Sequence, residues 1–301
     1  MPGDGVRSVV TSAAGIRLHM RERGGTGTGS RPEALLLHGL ASSCRIWDPV
    51  ADRLSRAGMR SVALDQRGHG RSAKPSSGYG FDRITADALA VIRAAKLRAP
   101  IVVGHSWGAN VALELAVRHR SAVRGAVLVD GGFLALRDRF DWPAARQALA
   151  PPQLAGMSLD AFLAGARTHL GSSLEITPEI IEVLRSLVRV DRSGRIRPRL
   201  SRANHLRILH ALWEQDTIGL LERLRVPTLV LAVRSPAGVP DSAGFMRHKR
   251  LAAARVRSIG PPVNFAWIDG IHDVPLQRPR AVAGRILRFA DATDARSPRR
   301  S

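Results

Sequence analysis

Short, mainly apolar runs punctuate this sequence, and each stops at glycine or a polar residue before a stretch of helical spacing begins. Residues 34–37 end at His38-Gly39, residues 61–64 at Asp65, residues 101–103 at Gly104 and residues 123–129 at Asp130-Gly131-Gly132. A strand that is apolar on both faces must be covered on both faces, which is the situation of a parallel sheet. The intervening segments carry the covers. Ile46, Val50 and Leu54 recur at helical spacing, as do Ile84, Ala88, Val91, Ile92 and Ala95, and residues 109–117 read the same way. This alternation predicts an α/β fold with a mostly parallel central sheet flanked by helices. Residues 6–12 and 16–23 read as a pair of strands ahead of it. In such sheets ligands bind beyond the carboxyl ends of the strands, so the polar residues that close the apolar runs are the ones to inspect.

The pattern breaks at Phe133. From residue 133 to 215 there are no clear strand runs, and helical segments fit at 143–149, 159–169, 178–188 and 206–213. Thr177-Pro178-Glu179 has the form of an N-cap followed by proline at the first helical position. Strand and helix patterns then resume: strands at 228–233 and 265–268, helices at 243–256 and 281–290. Residues 1–132 and 216–290 are therefore expected to form one core, 133–215 a helical insertion over the sheet, and 291–301 a disordered Arg-rich tail.

Composition narrows the function classes. The 301 residues carry a net charge of +21, but the excess is +9, +4 and +8 over residues 1–132, 133–215 and 216–301, so no one block gathers it. Forty-three of the 46 basic residues are arginine and only Lys74, Lys96 and Lys249 are lysine. That skew reads as base composition rather than a surface for nucleic acid, and no specific nucleic-acid partner is expected. No run of about 18 apolar residues offers a transmembrane segment, and the first residues lack a signal-peptide pattern, so a cytoplasmic protein is expected. The single cysteine, Cys44, allows no internal disulfide and no cysteine cage for zinc.

The chemistry concentrates at Gly104-His105-Ser106-Trp107-Gly108. A G-x-S-x-G segment that leaves a strand and opens a helix holds its serine in a strained turn, which needs small residues two positions to either side. Such a turn presents the hydroxyl at a helix N-terminus, where free N–H groups favour developing negative charge. Acyl transfer also needs two N–H donors for an oxyanion. Trp107, following the serine, supplies one, and Leu40, in the loop after His38-Gly39, is the natural second. His38 is read as shaping that loop.

These pieces resemble the α/β-hydrolase fold family: His38-Gly39, the segment Asp65-Gln66-Arg67-Gly68-His69-Gly70-Arg71-Ser72, the 104–108 elbow, Asp130, and Gly270-Ile271-His272-Asp273, in family order, with the insertion where the family carries its cap. The resemblance implies a serine nucleophile, a later acid and a histidine last. His272 alone of the ten histidines combines that order with a position after a strand and a turn. The usual acid position follows the strand at 228–233, where Arg234-Ser235-Pro236-Ala237-Gly238 holds no carboxylate. Asp130, at the end of the preceding strand, is preferred, and Asp241 is the alternative acid. Asp65 is read as a loop anchor and Cys44 as a buried filler.

The implied activity is that of a serine hydrolase acting on a small ester, lactone, thioester or amide, with no cofactor and no metal. Cofactor-free haloperoxidase chemistry, carbon–carbon bond hydrolysis and a non-catalytic ligand-binding protein are alternatives on the same residues. Epoxide hydrolases of this fold use an aspartate nucleophile and cap tyrosines, whereas this chain has Ser106 and, as its only tyrosine, Tyr79, outside the insertion. Phe140, Trp142, Leu154, Met157, Phe162 and Trp213 are candidates either to line an apolar acyl pocket or to seal the insertion onto the core.

Overall fold

The computed structural model describes residues 6–13, 15–25, 31–171, 173–236 and 242–294. Its strands are β1 (Val6–Ala13), β2 (Ile16–Arg23), β3 (Ala34–Leu37), β4 (Ser61–Asp65), β5 (Ile101–His105), β6 (Gly125–Val129), β7 (Val188–Val190), β8 (Ile196–Pro198), β9 (Thr228–Arg234) and β10 (Val263–Asp269). Eight of them form one sheet in the order β1-β2-β4-β3-β5-β6-β9-β10, and β7 and β8 form a separate hairpin. The first two pairings are antiparallel, and every pairing from β4 to β10 is parallel. β3, β4, β5 and β6 are buried along their whole length, the burial that their apolar runs require.

Alternate side chains of these strands feed two cores. Leu35, Leu37, Val102, Leu128 and Val230 point to the face covered by α2 (Phe81–Ala94), α3 (Trp107–Arg118), α8 (Thr217–Glu222) and α9 (Ser242–Ile259). Ala34, Leu36, Val103, Val129 and Leu231 point to the face covered by α1 (Asp48–Arg56), α10 (Val274–Gln277) and α11 (Pro279–Asp294). Side chains that alternate across a strand can build two cores only if both faces are covered, so the sequence pattern and the three layers express one constraint.

The 133–215 segment contributes α4 (Trp142–Ala148), α5 (Leu159–Leu170), α6 (Pro178–Arg185) and α7 (Arg202–Glu214). Each starts at a residue whose side chain accepts a backbone N–H three positions on: Asp141, Ser158, Thr177 and Ser201. A cap of this kind contributes about 1 kcal/mol to its helix. The segment has an apolar cluster of its own, built around Phe162, Leu163, Ile180, Leu184, Val188 and Ile196.

Two expectations need correction. The helix expected over 178–188 ends at Arg185, and Val188 opens β7, which pairs antiparallel with β8. Three-residue strands with arginine at their centre, Val-Arg-Val and Ile-Arg-Pro, are too short to register as apolar runs. Between them Asp191 turns the chain, its carboxylate accepting the N–H groups of Ser193 and Arg195. Helix α11 continues through Asp294, past the expected start of the tail at residue 291. Among the described residues no helix is long and apolar enough to cross a membrane.

Candidate active site

Strand β5 runs into Ser106 and helix α3 begins at the next residue. Ser106 has φ 55° and ψ −125°, a backbone conformation that costs a residue with a side chain of order 1–3 kcal/mol and persists only where its surroundings enforce it. Here they do. A Cβ on Gly104 would come within 2.0 Å of the Gly108 carbonyl oxygen, and one on Gly108 within 2.3 Å of the Leu37 carbonyl oxygen. Gly131 passes as closely on the other side, where a Cβ would stand 2.1 Å from the Ser106 carbonyl oxygen. The glycine spacing in the sequence is thus the signature of backbone packed on backbone around one raised serine.

His272 and Asp130 reach the same point from other elements. The parallel pairing of β6 with β9, and of β9 with β10, sets their carboxyl ends side by side. Asp130 follows β6 directly, and His272 lies in the turn after β10. His272 Nδ1 is 2.7 Å from Asp130 Oδ2, and His272 Nε2 is 3.0 Å from Ser106 Oγ. A carboxylate can only accept, so Nδ1 carries the proton and Nε2 offers its lone pair to the Ser106 hydroxyl. His272 is half exposed; the desolvation it does undergo opposes charge, but the hydrogen bond to Asp130 and that carboxylate's charge outweigh it and hold the imidazole above its ordinary value. Asp130 is buried, which opposes ionisation; His272 and Lys249 overcome that and keep it well below the usual carboxylate range. Asp130 also has a positive φ, 46°, and its Oδ1 accepts the Val233 N–H at 2.9 Å. It therefore ties the ends of β6 and β9 together as well as facing His272.

Lys249 is the residue that sequence reasoning missed. It lies in α9, is buried, and its Nζ donates to Asp130 Oδ1 at 2.6 Å and to the Val233 carbonyl at 3.1 Å. A signal was available: this is one of three lysines among 46 basic residues, in a helix otherwise supplied with arginine. His105 is a second such residue. Its Nε2 donates to the His272 carbonyl at 2.8 Å and so fixes the turn that carries the imidazole. Burial, followed by repulsion from His272, takes His105 down to about 4, so it stays neutral beneath the site.

The other histidines and carboxylates of the strand ends have structural partners. His38 Nε2 accepts the Gln66 N–H, and His69 Nε2 accepts the Ala41 N–H. Burial lowers both imidazoles, which keeps those acceptor lone pairs free of protons and shapes the loop carrying Leu40. Asp65 accepts from His19 Nδ1 and from the N–H groups of Cys44 and Arg71. His19, Cys44 and Asp65 bring three ligand-type atoms within 4.8 Å of one another. That cluster does not suit a cation: the Asp65 oxygens are already engaged, and burial followed by the Asp65 charge pushes the Cys44 thiol well up. Asp241 lies outside the described residues.

A cavity of about 600 Å³ opens over Ser106 and His272. Leu40 and Trp107 line it from the core, and Phe140, Leu149, Leu209 and Leu212 from the 133–215 segment. Of the six apolar residues singled out in that segment, only Phe140 is on the cavity wall. Leu154, Met157 and Phe162 belong to the segment's own apolar cluster, and Trp142 and Trp213 bracket His210.

Comparison with known proteins agrees with this architecture. Residues 35–240 match the family model described as alpha/beta hydrolase fold. A 2-(acetamidomethylene)succinate hydrolase of Mesorhizobium japonicum is 36% identical over 115 residues, which are 38% of this chain and 39% of that protein. A protein of Mycobacterium phage D29 whose name places it with the non-heme haloperoxidases is 28% identical over 276 residues, 86% of this chain and 87% of that one. Among solved structures, E-2-(acetamidomethylene)succinate hydrolase superposes with a TM-score of 0.73 at 24% identity, covering 95% of this chain and 99% of that one. A thioesterase domain from the curacin biosynthetic pathway gives 0.72 at 19% identity, with 94% and 99% covered. The family match spans the strands from β3 to β9, including the elbow and the strand end that bears Asp130, and it sets this chain among the enzymes of the alpha/beta hydrolase fold family.

Proposed function

We propose that this enzyme is a serine hydrolase that cleaves a small ester, lactone, thioester or amide by two-step acyl transfer. The observation that carries the reading is the unbroken hydrogen-bonded line from Ser106 Oγ through His272 to Asp130. In the first step Ser106 Oγ bonds to the substrate carbonyl carbon while its proton passes to His272 Nε2. The tetrahedral oxyanion is received by the N–H groups of Leu40 and Trp107, whose residues border the cavity beside Ser106. Collapse breaks the carbon–heteroatom bond, and the leaving alcohol, thiol or amine takes the proton from His272. Water then attacks the acyl-enzyme with His272 again as base, releasing the acid and restoring the serine. Asp130 is the acid of the set, orienting His272 and balancing its charge, in preference to Asp241.

In this reading residues 133–215 are a helical cap on a core made by 1–132 and 216–290. Support comes from the cavity itself, whose walls are drawn from both parts. Hydrolysis of p-nitrophenyl esters of graded chain length, beside lactones and amides, tests the proposal. Turnover of one class, abolished in Ser106→Ala, is the expected result; a folded protein inert across all classes contradicts it. A second reading, cofactor-free haloperoxidase chemistry on the same three residues, is favoured by the similarity that runs along most of the chain to the phage protein. Peroxide-dependent halide oxidation that exceeds ester turnover would select it.

A further inference from the structure

Lys249 has no part in the acyl-transfer steps, yet it is the best-buried cation of the site. Its side chain is 2% exposed and that of Asp130 1%. Of its three N–H bonds, one goes to Asp130 Oδ1 and one to the Val233 carbonyl, and the ammonium lies 4.9 Å from the centre of the Phe245 ring. A guanidinium is planar and larger, and cannot direct three donors from one atom to such a set. Lysine here, on a helix that carries Arg247, Arg250, Arg255 and Arg257, is therefore a fit to this niche and not to the composition of the chain.

Resting on the serine-hydrolase reading, we infer that Lys249 is a positioning residue: it clamps the outer oxygen of Asp130 so that the other faces His272, and its charge offsets part of the carboxylate's pull on the imidazole. Charged groups face the imidazole from several elements. Asp130 after β6 and Asp273 next in the chain both favour imidazolium, and Lys249 on α9 opposes it. His105, at the end of β5, faces the same turn but stays neutral. Arg139 and His248 also line the cavity. An unopposed buried carboxylate would make His272 a stronger base but one already protonated where it must accept a proton. The Lys249–Asp130 pair is close to neutral as a unit, so His272 keeps the orienting hydrogen bond of Asp130 without the full pull of its charge.

The test is the pH profile of kcat/KM on a p-nitrophenyl ester for wild type, Lys249→Gln and Lys249→Arg, with circular dichroism to establish folding. In Lys249→Gln, which keeps a donor but loses the charge, the acid limb moves up by about one pH unit. Activity at pH 6 then falls about tenfold relative to wild type, while the high-pH plateau stays within a few-fold. Lys249→Arg keeps a charge beside Asp130 but not the clamp, so its acid limb stays near the wild-type position while kcat falls at every pH. An acid limb unmoved in Lys249→Gln, with activity lowered equally at every pH, overturns the inference and leaves Lys249 a packing residue. Should the glutamine variant not fold, Lys249→Met decides: an acid limb displaced upward supports the inference, and one at the wild-type position overturns it. Wild type with no turnover and no reaction with a fluorophosphonate would instead overturn the serine-hydrolase reading.

Discussion

At the scale of single residues, the site is a set of side chains whose protons are fixed by their neighbours. Asp130 accepts from His272, and this leaves Nε2 as the acceptor for Ser106. Asp130→Asn would present an amide able to donate, which favours the wrong tautomer of His272. A loss of about a thousand-fold or more in kcat is expected, with the protein still folded, when ester turnover is followed. A loss under tenfold would move the role of acid elsewhere, Asp241 included. Much of this scale was legible in the sequence because a strained serine needs glycine neighbours: Gly104 and Gly108 could be read as a turn before any coordinates. Lys249 was not legible as a partner of Asp130. Its helix and the end of β6 are 119 residues apart, and only the rarity of lysine in this chain marked it.

At the scale of elements, apolar character was a good guide to strands and a poor one to the insertion. β3 to β6 are buried on both faces and show it in their apolar runs. The β7–β8 hairpin buries only Val188 and Ile196 and exposes the rest, so it left no run to read. Helix α8 is only six residues long, too short for periodicity to register. The insertion's separate apolar cluster makes a prediction of its own. Ile196 is fully buried there, and Ile196→Ala should cost about 3 kcal/mol through lost burial and a residual cavity. Hydrogen exchange should then quicken in α5, α6 and the hairpin while β5 and β6 keep their protection, because local clusters can open below the global unfolding free energy. Equal quickening in the central strands would mean that insertion and core unfold as one unit.

At the scale of the whole molecule, buried histidines couple stability to pH. His38, His69, His105 and His205 are all buried, and burial lowers each of them. In the unfolded chain they bind protons near pH 6.5, while the folded protein resists; His105 does so down to about 4. Unfolding therefore takes up protons below pH 6.5, and stability falls as pH falls through that window. His272 is shifted the other way and contributes stability that is lost as pH rises, but it is one group against four. The melting temperature should drop by several degrees between pH 7 and pH 5, with net proton uptake on unfolding; a flat profile would mean that these imidazoles are protonated in the folded state. Activity of the whole molecule rests on the reactivity of one hydroxyl. The most direct measurement is the intact mass of the protein after a fluorophosphonate, followed by peptide mapping. A single adduct on Ser106, formed faster as pH rises through the titration of His272 and absent from Ser106→Ala, is the predicted result. A folded wild-type protein that stays unmodified, or one labelled equally well without Ser106, would contradict it.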